Sequence, residues 1–228
     1  MEILWQHDLS WKRTGGGLIG VDEAGRGCLA GPVFAAAVYL PESLFSMPWT
    51  ALAAPHVDDS KKLSEKERGV ARDYLSNQGA SLGILSSVGV STVAEIEEHN
   101  ILGATTLAMS KALKALSVPL QAEEQSLFER TAHTYPSILV DGRPLKKFPF
   151  SHEALVKGDS RSLAIALASV VAKVGRDRWM SQASKSYPQY GWERNKGYGT
   201  AVHRRALLEH GPSPQHRRLF LRKILQEQ

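Results

Sequence analysis

The sequence predicts an α/β domain, a mixed central β-sheet flanked by helices, with a smaller helical subdomain at its C-terminal end. Three observations carry that prediction. Residues 18–23 and 32–40 are short apolar runs joined by a Gly-rich connection, and a run that reads apolar on both faces belongs inside a sheet. Residues 161–183 form one long Ala-rich stretch in which Leu163, Leu167, Val170, Val171 and Val174 give a broad apolar helical face. From Tyr187 onward the chain changes character and becomes dense in Arg, His, Gly, Pro and aromatic residues. Strands first, then helices, then strands joined through helices make a layered domain. The expected division is 1–185 for the sheet domain and 186–228 for the helical subdomain.

Taken in order, residues 1–17 are expected to be an irregular lead-in that ends at Gly15-Gly16-Gly17. Strands follow over 18–23 and 32–40, antiparallel across the connection. Residues 41–57, with Pro41, Pro48 and Pro55, read as a surface connection. Ser64 followed by Glu67 is a capping box, so a helix is expected over 65–77. A third strand is expected over 81–88, then a helical region from Ser91 to about 116 whose apolar residues include Ile96, Ile101, Leu102, Leu107, Met109 and Leu113. Residues 117–134 read as a connection. Short strands over 137–141 and 153–156 precede the long helix, and further helices are expected near 199–209 and 215–226.

Four carboxylates stand where apolar segments end: Asp22, Glu23, Asp141 and Asp159. In sheet proteins the strand ends are where sites gather. Two like charges about 4 Å apart repel by roughly 4 kcal/mol at an effective dielectric near 20, so converging acids need a positive partner. Oxygen-only ligands select Mg²⁺ or Mn²⁺, and the sequence has no His or Cys cluster with zinc spacing. Plainer readings stand beside this one. The 22–27 stretch could be an acidic hairpin turn, Asp159 suits an N-cap, and Asp141 before Gly142 suits a turn. Asp177 reads as an exposed or salt-bridged helix acid. Strand alternation also turns Asp22 and Glu23 to opposite faces, so either the strand twists or bulges there or Glu23 contributes from the rim.

Composition narrows the class. The 228 residues are 43% apolar with a net charge of +5, enough for a real core and suited to a polyanionic partner. The single cysteine, Cys28, excludes an internal disulfide and fits a reducing cytoplasm. No apolar run approaches the roughly 20 residues that span a bilayer, and the start lacks a signal-peptide core, so no membrane association is expected. A basic chain with an acid-and-cation centre suits phosphodiester cleavage.

Several stretches resemble one family in register: GVDEAGRG at 20–27 with AGPV at 30–33, DDSKKLSEKER at 58–68, HNILGATTLAM at 99–109, VDG at 140–142, KGD at 157–159, ASVVAKVGRDR at 168–178, NKGYGT at 195–200 and SPQHRRLF at 213–220. Together they resemble ribonuclease HII, the bacterial type 2 ribonuclease H. The resemblance implies a ribonuclease H-like fold. It also implies endonucleolytic cleavage of RNA in RNA–DNA hybrids and on the 5′ side of single ribonucleotides in duplex DNA, leaving 3′-hydroxyl and 5′-phosphate ends. The family's four acids map onto Asp22, Glu23, Asp141 and Asp159, with Asp22 and Asp141 as shared ligands of Mg²⁺ or Mn²⁺, Glu23 completing one site and Asp159 the other. Its 2′-hydroxyl-reading element maps onto Gly25, Arg26 and Gly27, and its junction-sensing tyrosine onto Tyr198. A protein hydroxyl or amide can tell RNA from DNA only at the 2′-OH, and glycines leave the backbone free to grip it.

Lys61, Lys62, Lys157, Lys196, Arg204, Arg205, His216, Arg217 and Arg218 are expected to track phosphates, as a set. The expected partners are RNA–DNA hybrids and ribonucleotide-containing duplex DNA, bound by a monomer. Leu219, Arg143, Gly175 and Leu167 depart from residues common in the family, and none is one of the four acids. A ribonuclease HIII-like hybrid nuclease is the near alternative. The Gly-Arg-Gly and the short stretch before residue 18 speak against it. A non-catalytic hybrid-binding module is the distant one, and it would be expected to have lost an acid.

Overall fold

The structure is a computed structural model that describes residues 2–11, 16–48, 63–118 and 135–225. Its centre is a five-stranded sheet. β1 (Leu18–Ala24) pairs antiparallel with β2 (Val33–Leu40), which pairs antiparallel with β3 (Leu85–Ser91). On its other side β1 runs parallel to β4 (Ser137–Asp141), and β4 parallel to β5 (Glu153–Leu155), giving the order β3-β2-β1-β4-β5.

Alternation along the strands sends side chains to both faces, and a helix covers each. Ile19, Val21, Ala35, Ala37 and Val140 pack against Ala104, Ala108 and Ala112 of α3 (Val93–Ala115). Leu18, Ala36, Val38 and Leu139 pack on the opposite face against Leu163, Leu167 and Val170 of α4 (Leu163–Ser184). Burying one such side chain fully is worth about 1.5–3 kcal/mol, which is why the strands read as unbroken apolar runs. The α4 backbone lies directly on β1: a Cβ built on Gly20 would meet the Ala164 carbonyl carbon at 2.1 Å. Any larger residue there would force the helix off the strand that carries the first two acids.

A third apolar cluster joins Leu29, Ala30 and Met180 to Tyr190, Trp192, Ala206, Leu207 and Leu221. It packs the C-terminal helices α5 (Ala201–His210) and α6 (Arg218–Leu225) against the β1–β2 connection and the end of α4.

Most elements fall where the pattern puts them, and the exceptions have physical causes. Helix α2 (Glu65–Asn77) starts at the capping box, with both Ser64–Glu67 bonds formed. The expected irregular lead-in is corrected: Glu2–Trp11 is a helix, α1. Tertiary contacts hold it there. Trp5 stacks on Phe45 at 4.9 Å, and buried Asp8 accepts from the Ala164 amide at 2.9 Å, in the first turn of α4. The third strand begins later than expected because Gly79–Leu82 is a 3₁₀ turn closed by Gly83. Thr92, not Ser91, caps α3, and that helix is interrupted at Asn100 (φ 58°, ψ 174°). The α4 cap is Ser162, whose hydroxyl accepts from the Ile165 amide. The N-cap reading of Asp159 therefore fails. Asp177 is salt-bridged to Lys173 at 2.8 Å, but it is buried rather than exposed. At Gly175 the Phe34 ring fills the space a side chain would take, 3.3 Å from a built Cβ.

Candidate active site

The register that pairs Val21 with Val140 brings the C-terminal ends of β1 and β4 together, with Asp22 and Asp141 next in each strand. Asp22 shares the face of Leu18 and Gly20, toward α4, where the Ser169 hydroxyl and the Glu23 amide bond its carboxylate. Burial pushes the Asp22 carboxyl well above the usual carboxylate range, and the charges of Glu23 and Asp141 push it further. Glu23 keeps to the alternation and points to the opposite face, into a cleft, where it bonds Arg26 at 2.9 Å. Burial raises its carboxyl too, with Arg26 opposing. The pairing of β1 with β2 is continuous through Ala24, so the strand does not bulge at Glu23.

Asp159 lies buried in the 3₁₀ turn Gly158–Ser160 that follows β5. The Gly158 amide donates to Asp141 Oδ1 at 2.6 Å, bonding that turn to the β4 carboxylate. Asp22, Glu23 and Asp141 are thus electrostatic neighbours, and Asp159 sits one residue from a direct contact with Asp141. Among the described residues, no group of three or more His, Cys, Asp or Glu side chains is placed so that it could hold a metal ion. The donor chemistry is still that of a hard cation: oxygen only, crowded, buried and mutually repelling.

The Gly25–Gly27 segment is held from behind by two fully buried arginines. Arg217 donates to the carbonyls of Arg26 (3.0 Å), Gly31 (2.9 Å) and Pro32 (3.2 Å). Arg176, from α4, donates to those of Ala30 (3.0 Å), Pro32 (3.2 Å) and Lys196 (2.8 Å). Gly25 has φ 98°, and a Cβ there would meet Arg176 Nε at 2.0 Å, so glycine is required twice over. Through Lys196 this clasp reaches the turn that carries Tyr198. Tyr198 is 44% exposed, its hydroxyl neighbours the Cys28 thiol, and Lys173 Nζ and Arg176 Cζ lie 5.6 and 5.9 Å from its ring centre. One face of the ring is thereby fixed while the rest meets solvent.

Two residues assigned to a phosphate-tracking surface are corrected, because Arg217 and His216 are interior. His203 Nδ1 donates to the Tyr198 carbonyl at 2.9 Å, and the Ser213 amide donates to His216 Nδ1 at 2.9 Å. A carbonyl only accepts and an amide only donates, so His216 carries its proton on Nε2 and gives it to His203 Nε2 at 3.0 Å. Trp192 Nε1 donates to the same nitrogen at 3.0 Å. Lys196 also turns inward, bonding Ser181 at 2.9 Å with its side chain only 12% exposed. Lys157, Arg204, Arg205 and Arg218 are exposed. Lys61 and Lys62 lie outside the described residues.

Sequence reasoning quoted Arg176 and Ser169 within a motif but gave them no role. The signal was available: both are polar in an Ala-rich helix, seven residues apart and therefore on one face. The Cys28–Tyr198 contact had no such signal.

A mixed five-stranded sheet of this order, flanked by helices, is a ribonuclease H-like fold. Among solved structures, ribonuclease H2 from Pyrococcus horikoshii OT3 matches with a TM-score of 0.66 at 24% identity, covering 92% of this chain and 97% of that one. Bst-RNase HIII in complex with Mn²⁺ matches at 0.63 and 20% identity, covering 94% and 71%. The ribonuclease HII family model matches residues 19–223, and the ribonuclease HII of Thermosynechococcus vestitus is 42% identical over 94% of this chain and 88% of its own length. The chain belongs to the ribonuclease HII family, and it is an endoribonuclease of RNA–DNA hybrids.

Proposed function

We propose that this enzyme also cuts on the 5′ side of single ribonucleotides in duplex DNA, leaving a 3′-hydroxyl and a 5′-phosphate. In this reading Asp22, Glu23, Asp141 and Asp159 hold divalent cations, Mg²⁺ or Mn²⁺, and Gly25, Arg26, Gly27 and Tyr198 read the junction. The observation that carries it is the side-by-side placement of Asp22 and Asp141 at the ends of adjacent parallel strands, with Glu23 and Arg26 opening into the neighbouring cleft. The Mn²⁺ complex of a structural neighbour supports the choice of cation class.

When bound, such cations supply charge neutralisation at the scissile phosphate and an acidified water. The chain's own residues do the rest. Ser169 and the Glu23 amide orient the Asp22 carboxylate, and the Gly158 amide orients that of Asp141. Arg26 offsets the charge of Glu23 and stays on the exposed side of the cleft. The clasped Gly25–Gly27 backbone, whose Gly25 and Arg26 carbonyls already accept from the Cys28 amide and Arg217, offers its amides to a 2′-hydroxyl, and the exposed part of the Tyr198 ring offers a surface for a sugar or base. The test is cleavage of a duplex carrying one ribonucleotide, with and without Mg²⁺ or Mn²⁺, with both new ends mapped. Activity in EDTA, or cuts on the 3′ side, would overturn the reading.

A further inference from the structure

Four described residues other than glycine have a left-handed backbone: Asn100 (φ 58°), Lys147 (58°), Lys157 (56°) and Lys196 (48°). Such conformations cost free energy and gather at functional sites. Two of them already have a place, because Lys157 leads into Gly158-Asp159 and Lys196 into the Tyr198 turn. The other two, Asn100 and Lys147, both line the cleft that also holds Glu23, Arg26 and Asp141, in the arm of it formed by residues 99–110 and 142–147.

That arm runs between the loop after β4 and the second segment of α3. The whole cleft encloses about 1160 Å³. Small-molecule sites run roughly 300–1,000 Å³, so this one is large enough for a stretch of polymer. Arg143, Lys146 and Lys147 stand exposed on one side of the arm. Leu102 (63% exposed) and Val156 (60% exposed) offer apolar surface between the charges. Cations for phosphates interleaved with apolar surface for sugars are what a nucleic-acid backbone needs.

The arm is also built rather than loose. The Leu145 amide donates to His152 Nε2 at 3.1 Å, His152 Nδ1 is bonded to the Phe150 carbonyl at 2.9 Å, and the His152 ring meets buried Phe148 edge-on at 5.0 Å. Across the arm, Asn100 Oδ1 accepts from the Leu102 and Gly103 amides and starts the second segment of α3. A loop pinned this way holds its cations in place before the ligand arrives.

We propose that this basic arm is a backbone-phosphate site, with Arg143, Lys146 and Lys147 gripping the substrate to one side of the scissile phosphate. The proposal rests on the acids being the cleavage centre. The test uses the Asp22→Asn protein and a labelled duplex with one ribonucleotide, comparing it with the same protein carrying Arg143→Ala, Lys146→Ala and Lys147→Asn. Asparagine at 147 tolerates the left-handed backbone. The expected result is at least about tenfold weaker binding at 0.1 M salt, and a log–log salt slope shallower by roughly 2–3. Shortening the duplex on one side of the ribonucleotide should abolish the difference, and shortening the other should not. Unchanged affinity and slope, or a loss indifferent to which side is shortened, overturns the proposal. Should the triple variant melt early, Arg143→Asn alone must still shift the slope by about 1. Failure of the wild-type enzyme to cut the ribonucleotide duplex would instead overturn the reading of the acids.

Discussion

At the scale of single residues, the site sets activity against stability. Asp22 is buried beside two other acids, so its ionised form is unfavourable in the protein alone. Asp22→Asn is expected to lower cleavage by at least about a thousandfold, since a cation-held carboxylate supplies several kcal/mol of transition-state stabilisation. Hybrid affinity should stay close to wild type, and stability in metal-free buffer should be equal or higher. Turnover in Mg²⁺ by this variant would remove Asp22 from the ligand set. Tyr198 makes a different prediction. Stacking on an aromatic ring is worth about 1–3 kcal/mol per base, so Tyr198→Ala should cost roughly 5- to 150-fold at single ribonucleotides and much less on long hybrids. Steady-state rates on the two substrates decide it, and an equal loss on both would make the ring a packing residue only.

At the scale of elements, the C-terminal helices brace the turn that carries Tyr198. The His216–His203 pair connects α5 and the turn before α6 to the Tyr198 carbonyl. Both imidazoles are neutral in this network, and burial lowers both, His216 to about 4. A histidine whose pKa falls on folding adds stability that is fully present above its unfolded value near 6.5 and is lost as pH falls toward the folded value. A drop from 6.5 to about 4 corresponds to roughly 3 kcal/mol. Urea unfolding of wild type and His216→Gln at pH 7.5 and pH 4.5 should therefore show the two converging as pH falls. A constant gap would mean that the pair does not titrate with folding. The same brace explains why Arg217 was misread from sequence. Its charge suggests a surface, while three carbonyl acceptors and a buried position make it a staple.

At the scale of the whole molecule, the surplus positive charge is not spread evenly. Arg176, Arg217 and Lys196 face inward and bond protein groups, while Arg204, Arg205, Arg218, Lys157, Arg143, Lys146 and Lys147 are among the exposed cations. Affinity for hybrids should fall steeply with salt as counterions are released, giving a linear log–log plot with a slope near −0.9 per phosphate contact on duplex. A flat plot would remove the basic surface from the mechanism. No helix among the described residues is long and apolar enough to cross a membrane.

The sheet strands and the long helix were legible because their signals are local. Apolar runs, a capping box at Ser64 and motif spacing do not depend on what packs against them. Helix α1 was not legible, since its stability comes from Phe45 and from the Asp8 bond to residue 164, far along the chain. Nor was the inward turn of Arg217, His216 and Lys196, because a polar side chain's partner is chosen by the fold and not by its neighbours in sequence. The sequence by itself determined the family and the layered fold. Only the tertiary structure decided that the strand runs without a bulge through Asp22 and Glu23, that buried arginines hold the glycine segment, and that the cleft continues into a basic arm. Each of those depends on contacts between segments whose separation along the chain carries no pattern.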